Sequence, residues 1–234
     1  MIFVHIGAGA GDLDPSTNFR DGFSEYVKKI KSEEKNIFVV EANPNNIEKL
    51  KECWKDYKYV EIFNFAVTPN DHSKENITLY YSQDDKPHYQ LLSHDKNFVK
   101  HYFPNSAIKE IEIKTIKIKT FLEKNFSNLI IDSFSIDVEG LDYKIFMDID
   151  LKKFNIYQFS IEYFHLNKNQ KKDIIKKFIK NGYSYNGFGL DHNNLDWLFI
   201  KKRSFWNNFI VKIFPYIHRI HYKRLNTLIE KLQK

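Results

Sequence analysis

An apolar run at residues 2–6, Ile-Phe-Val-His-Ile, breaks at once into Gly7-Ala8-Gly9-Ala10-Gly11-Asp12. A short strand that ends in a glycine-rich turn is the entrance to an α/β domain that holds a ligand beyond the carboxyl ends of its strands. The dinucleotide pattern needs its third glycine one position later, where Asp12 stands, so the turn does not read as that fingerprint. Glycines at alternate positions instead let the backbone approach a bound group closely. A tight turn demanded by packing alone is the other reading of the same residues.

The rest of the chain continues the α/β pattern. Residues 20–32 form a helix with Phe23, Tyr26, Val27 and Ile30 on one face. Residues 37–40 are wholly apolar, as an inner parallel strand should be, and end at Glu41. Asn43 then caps a helix with Pro44 in its first position, continued by Ile47, Leu50, Lys51 and Trp54. Residues 60–67 read as a third strand. Order loosens over 68–128, with a short strand at 78–81 and a helix within 90–103. The alternation at 111–118 changes phase between Ile113 and Ile116, which predicts a bulge. A fourth strand at 134–138, a helix at 142–148 and a fifth strand at 157–162 follow. A lysine-rich helix at 168–181 turns Ile174, Ile175, Phe178 and Ile179 inward and stops at Gly182. Residues 183–188 and 195–201 have no helix between them and read as a closing antiparallel pair. The expected fold is a doubly wound, mostly parallel, seven-stranded α/β sheet, one domain over 1–203.

Composition bounds the function. Hydrophobic residues are 42% of the 234 and charged residues 28%, enough for a sizeable core in a globular chain that is neither disordered nor membrane-spanning. The single cysteine, Cys53, excludes an internal disulfide and fits packing in a reducing compartment. The start lacks the basic segment and long apolar run of a signal peptide, so the expected location is cytoplasmic. Net charge is +6, but it is nearly all lysine. The arginines are Arg20, Arg203, Arg219 and Arg224, without the cluster that reading nucleic acid favours, so no nucleic-acid partner is expected. Residues 204–234 carry Trp206, Ile210, Ile213, Ile217 and Ile220 at alternating four- and three-residue steps, with Lys212, Arg219, Lys223, Arg224 and Lys231, and break at Pro215. This basic amphipathic helical extension packs on the body, pairs two copies as a homodimer, or lies on the inner face of an anionic membrane.

Four segments carry a resemblance to the FkbM family of methyltransferases: Val4-His5-Ile6-Gly7-Ala8 with Gly11; Val40-Glu41-Ala42-Asn43-Pro44-Asn45; Asn64-Phe65-Ala66-Val67; and Ser135-Ile136-Asp137-Val138-Glu139-Gly140. Asp196-Trp197-Leu198-Phe199-Ile200 is similar to the family's final strand. The resemblance runs in order over about residues 2–201. It implies a Rossmann-like class I methyltransferase using S-adenosyl-L-methionine, with O-methylation of a saccharide or glycan precursor as the usual outcome. Two departures stand out. His5 occupies a position that usually carries an acidic residue, and the first strand opens the chain, so a substrate lid is expected from the insert at 68–128 or from the tail.

Glu41, at the end of the second strand, is placed to accept hydrogen bonds from both ribose hydroxyls. The expected cofactor residues are Gly7, Ala8, Gly9, Gly11, Asp12, Glu41, Ala42, Asn43, Asn64 and Ala66. Methyl transfer is an in-line displacement that needs orientation and often a base. Asp137 and Glu139 at the end of the fourth strand, and Glu162 and His165 at the end of the fifth, are the candidates. Asp137, Glu139 and His165 are the expected catalytic residues. The plainer alternative is that Glu139 caps a helix and His165 decorates a loop. His72, His88, His94 and His101 lack metal-ligand spacing, and no metal is expected, although a magnesium beside Asp137 stays open. An NAD(P)-linked oxidoreductase and a non-catalytic cofactor-binding interaction module are the competing functions.

Overall fold

Seven strands form the central sheet and three more form a smaller one beside it. The computed structural model describes residues 1–11, 21–32, 34–85, 91–190 and 195–201. The expected cofactor residue Asp12 and the tail at 204–234 lie outside these. In chain order, β1 (Ile2–Ile6), α1 (Gly22–Lys29), β2 (Asn36–Val40), α2 (Ile47–Trp54) and β3 (Tyr59–Phe63) make the first half of the domain. The insert follows as β4 (Ala66–Thr68), β5 (Asn76–Ser82), α3 (Lys96–Tyr102), β6 (Ile108–Lys117) and α4 (Ile118–Phe126). The second half is β7 (Ile130–Ile136), α5 (Asp142–Asp148), β8 (Asn155–Glu162), α6 (Lys168–Lys180), β9 (Tyr183–Phe188) and β10 (Asp196–Lys201).

The large sheet runs β3-β2-β1-β7-β8-β10-β9. β1 pairs in parallel with both β2 and β7, and β7 with β8, while β10 is antiparallel to β8 and β9. The doubly wound seven-stranded sheet and its closing pair are therefore as expected. The strand order reverses between β1 and β7, so the crevice of the sheet opens at the carboxyl end of β1. Alternation along the strands sends Phe3, Ile37 and Val39 to one face, against Phe23, Val27, Leu50 and Trp54 of α1 and α2. Val4, Ile6 and Val40 face the other way, against Phe121, Phe146 and Phe178 of α4, α5 and α6.

Local chemistry fixes the ends of the elements. Asp21 caps α1 by accepting from the backbone N–H groups of Phe23 (3.2 Å) and Ser24 (3.0 Å). Asn167 and Gln170 form a reciprocal capping box at the start of α6. Asn43 and Pro44 do open a helical turn: Asn43 accepts from Asn45 N at 3.0 Å, and the 3-10 turn Pro44–Asn46 leads into α2.

The insert differs from expectation in three places. The single third strand expected over 60–67 is two strands, because the chain turns at Asn64 and β4 leaves the large sheet to pair in parallel with β6. The Asn64 side chain holds that turn, donating to Glu41 O at 2.8 Å and Ala42 O at 3.2 Å. The bulge expected between Ile113 and Ile116 is instead a change of partner: residues 108–114 pair with β5 and residues 115–117 with β4. The helix within 90–103 shortens to α3, and α4, which the sequence reading did not include, covers the core with Ile118, Phe121, Leu122 and Phe126. Among the described residues, no helix is long and apolar enough to cross a membrane.

Candidate active site

A cavity opens at the carboxyl ends of β1, β2 and β7, where the topology places it. Its floor is the glycine turn, with Gly7, Ala8 and Gly9 lining it. The turn is closed upon itself. Gly7 N and Ala8 N both donate to Val40 O (2.9 and 3.0 Å), Gly11 N to Ala8 O (3.2 Å), and Gly9 N to Glu41 Oε2 (2.7 Å). A phosphate cradle needs such N–H groups pointing at the ligand, and here they are spent within the protein. The geometry disfavours a pyrophosphate and hence a dinucleotide.

The three glycines do different work. A Cβ on Gly7 would lie 1.5 Å from Asp137 O, and one on Gly11 would lie 2.6 Å from Cys53 Sγ. Gly9, at φ +55°, would meet nothing within 4 Å. Gly7 and Gly11 thus let β1 dock against β7 and α2, while Gly9 leaves open space at the cavity wall. Packing explains two glycines of the turn, and the third fits close approach of a ligand.

Glu41 is buried at the cavity wall and its burial raises its carboxyl above the usual range, offset by N–H donors from Asn43 and Gly9. Oε1 accepts from Asn43 N at 2.6 Å and from Asn46 Nδ2 at 3.5 Å, whereas Oε2 accepts only from Gly9 N and retains a lone pair for a hydroxyl. Ala42 and Ala66 also line the cavity; Gly11, Asn43 and Asn64 do not, and instead support the residues that do. With a ribose seated on Glu41 as expected, Glu41→Ala would remove a charge-assisted contact worth roughly 1.5–3 kcal/mol. The expected result is at least a tenfold loss of S-adenosylmethionine affinity by calorimetric titration; unchanged affinity in a folded variant would remove Glu41 from the site.

Residues that are not among the expected site residues complete the wall. Asp21, Phe23, Leu92, Ser160, Leu190 and Asp196 all face the cavity. His5 is buried, stacks 4.6 Å from the Phe23 ring and sits 3.9 Å from Asp21 Oδ2. Burial lowers its imidazole pKa against the opposing pull of Asp21. The acidic group usual at position 5 is thus replaced by a histidine with a carboxylate directly behind it.

Of the expected catalytic residues, Asp137 and Glu139 line one end of this cavity and His165 lies behind them, against Glu139. Asp137 follows β7, and its Oδ1 is buried without a hydrogen-bond partner. Burial, then the carboxylates of Glu162, Glu139, Asp196 and Asp142, push its pKa well up. Glu139 lies in the left-handed region at φ +54° and its pKa is raised to about 8, by burial first and then by Glu162 and Asp142. It caps no helix. Asp142 holds this loop by accepting from Val138 N (2.9 Å) and Gly140 N (3.1 Å). His165 lies behind the cavity wall, with Nε2 3.1 Å from Glu162 Oε1 and 3.7 Å from Glu139 Oε2, and Nδ1 3.3 Å from the Tyr102 hydroxyl of α3. Burial lowers its pKa, against Glu139 and Asp142. His94 lines the cavity from the insert, whereas His72 contacts Asn76 O and His101 meets the Tyr102 ring edge-to-face. His88 lies outside the described residues.

A family model for the methyltransferase FkbM domain matches residues 5–185. No curated protein sequence matches the chain. Solved structures of similar shape include Aeropyrum pernix fibrillarin in complex with natively bound S-adenosyl-L-methionine, at 12% identity and TM-score 0.41, covering 85% of this chain and 64% of that one. Human methyltransferase 10 domain containing protein gives 12% identity and TM-score 0.41, covering 87% and 72%. Precorrin-6y C5,15-methyltransferase from Geobacter metallireducens GS-15 gives 11% and 0.38, covering 87% and 80%. All three are distant.

Proposed function

The chain belongs to the FkbM family of S-adenosylmethionine-dependent methyltransferases, and on that premise we propose that it methylates a hydroxyl of a saccharide or glycan precursor. Family membership replaces the oxidoreductase alternative. The cofactor supplies a methyl group activated by its sulfonium charge.

The residues present fit that cofactor. Asp137 Oδ1, buried and without a partner at the cavity wall, gains a counter-charge from a cationic ligand. Gly9 leaves room beside Glu41 for the nucleoside, and Ala42 and Ala66 keep the wall low and apolar. The insert closes the cavity from above with Ile77, Leu79 and Leu92. An apolar cover in this place supports the reading of the insert as a lid that keeps water from the reacting centre.

One observation carries the acceptor class. The cluster of Asp137, Glu139 and His165 at the cavity's edge is flanked by exposed aromatic rings. Phe164 is 52% and Tyr102 44% exposed, with ring centroids 5.1 and 5.9 Å from His165. A sugar presents C–H faces that pack on aromatic rings and hydroxyls that bond carboxylates, so it suits both halves of this surface. The cluster then receives the proton as the hydroxyl oxygen takes the methyl. A cytoplasmic site for the reaction agrees with the reduced, buried Cys53.

The test is methyl transfer from S-adenosylmethionine to a panel of free and nucleotide-linked sugars, read by mass spectrometry. A product heavier by one methyl on a sugar oxygen is expected. Methylation confined to nitrogen acceptors, or to no sugar in the panel while the cofactor binds, overturns the acceptor class.

A further inference from the structure

We infer that Glu139, Glu162 and His165 hold a divalent cation at the acceptor end of the cavity. Three different segments deliver them: the loop after β7, the last residue of β8, and the loop leading to α6. Their side chains are 33%, 7% and 18% exposed, so the group is shielded yet open on one side.

The spacing is close to that of a bound ion. An octahedral cation with bonds of about 2.1 Å sets neighbouring ligand atoms roughly 3 Å apart. His165 Nε2 already lies 3.1 Å from Glu162 Oε1 and 3.7 Å from Glu139 Oε2, and one ligand atom from each of the three lies within 4.8 Å of the others. A simple hydrogen bond from His165 to Glu162 accounts for only one of these approaches. It leaves Glu139 Oε2 buried without a hydrogen-bond partner, a costly arrangement for an acceptor of this kind.

Two independent features point the same way. Asp137 Oδ1 is also buried and unpartnered, and Asp137, Asp142 and Glu162 each place an oxygen within 4.8 Å of the other two. Asp142 is occupied by two backbone N–H groups; Asp137 is not, and its oxygen stands ready to join or orient the ion's shell. On the far side of the imidazole, Nδ1 faces the Tyr102 hydroxyl at 3.3 Å, and Phe98 presses edge-on at 4.6 Å between centroids. A metal-binding histidine characteristically donates its other ring N–H to such a partner, which fixes the tautomer with the lone pair toward the ion. Two carboxylates with one imidazole suit Mn²⁺, which takes oxygen and nitrogen donors, better than Mg²⁺, which takes an oxygen shell.

The cation's role, lowering the pKa of the acceptor hydroxyl, rests on the methyl-transfer reading above; its binding does not. The experiment titrates Mn²⁺ into the full chain without cofactor or acceptor and follows the free ion by electron paramagnetic resonance. Saturable binding of a single Mn²⁺ per chain is expected, weakened at least about tenfold in His165→Ala and in Glu139→Gln. Glu139 is a third exposed and its amide is nearly isosteric, so that variant keeps the test open if His165→Ala fails to fold. Absence of saturable binding, or equal binding in wild type and both variants, overturns the site. Mn²⁺ binding without any sugar methylation would leave the site standing and sink the acceptor class instead.

Discussion

Gly7→Ala should lower the melting temperature by roughly 4–20 °C, while Gly9→Ala should cost less, roughly 2–8 °C from its backbone strain alone, and weaken cofactor binding as well. Gly7 sits at φ +84°, where a residue with a Cβ is strained by about 1–2 kcal/mol. The new carbon would also lie 1.5 Å from Asp137 O, closer than any non-bonded contact. That oxygen belongs to the backbone and cannot swing aside, so β1 and the end of β7 must part, an overpacking cost of about 1–3 kcal/mol. Together these give about 2–5 kcal/mol, and for a chain of this length each kcal/mol moves the melt by roughly 2–4 °C. Gly9 shares the positive φ but meets nothing within 4 Å; its added methyl would enter the cavity. Thermal unfolding and calorimetric titration with S-adenosylhomocysteine separate the two effects. A Gly7→Ala protein that melts like wild type would mean that this close approach is not a feature of the native state.

The same pair of glycines shows how far the sequence could be read. Alternate glycines after an apolar run announce a ligand-binding turn, and the cavity does lie there. Which glycine serves the ligand and which serves packing depends on Asp137 and Cys53, residues far away in the chain, so local pattern could not decide it. Glu41 was legible because a strand end fixes where its carboxylate points. Asp21 was not: it looks like a loop acid, and only the folding of α1 back against His5 brings it to the cavity.

The large sheet was legible because its inner strands β1 and β2 are nearly unbroken apolar runs and the remaining strands are set off by turn and helix signals. The insert was not, for a physical reason. β4 is three residues long and its partner, β6, begins 40 residues later in sequence than β4 ends, so nothing local distinguishes it from a continuation of β3. The phase change at Ile113–Ile116 was a real signal with the wrong cause assigned, since an exchange of partners shifts burial as a bulge does. α4 carried a signal that was missed outright. Ile118, Phe121, Leu122 and Phe126 fall at helical spacing and all are buried, but the preceding alternation masks where the strand stops.

His165→Ala should cut turnover by about 10²–10⁴ and leave S-adenosylhomocysteine affinity within a few-fold, whereas Asp137→Asn should lower both. The distinction follows from position. Asp137 lines the cofactor cavity and its buried Oδ1 has no hydrogen-bond partner, so a cationic ligand would supply its counter-charge. Removing that charge costs cofactor affinity as well as the chemistry. His165 does not line the cavity; it faces Glu139, Glu162 and Tyr102, beside exposed Phe164. Its loss disables activation of the acceptor hydroxyl, by whichever of these neighbours the proton leaves, without touching the nucleoside. Steady-state methyl transfer to the true acceptor gives kcat, and titration of the same preparations gives affinity; slow hydrolysis of the cofactor is no substitute, because it needs no acceptor. A fully active His165→Ala enzyme would confine activation to Glu139 and Asp137 and leave the imidazole a structural neighbour. Full activity in both variants would place the acceptor away from the end of β7, where Asp137 and Glu139 line the cavity.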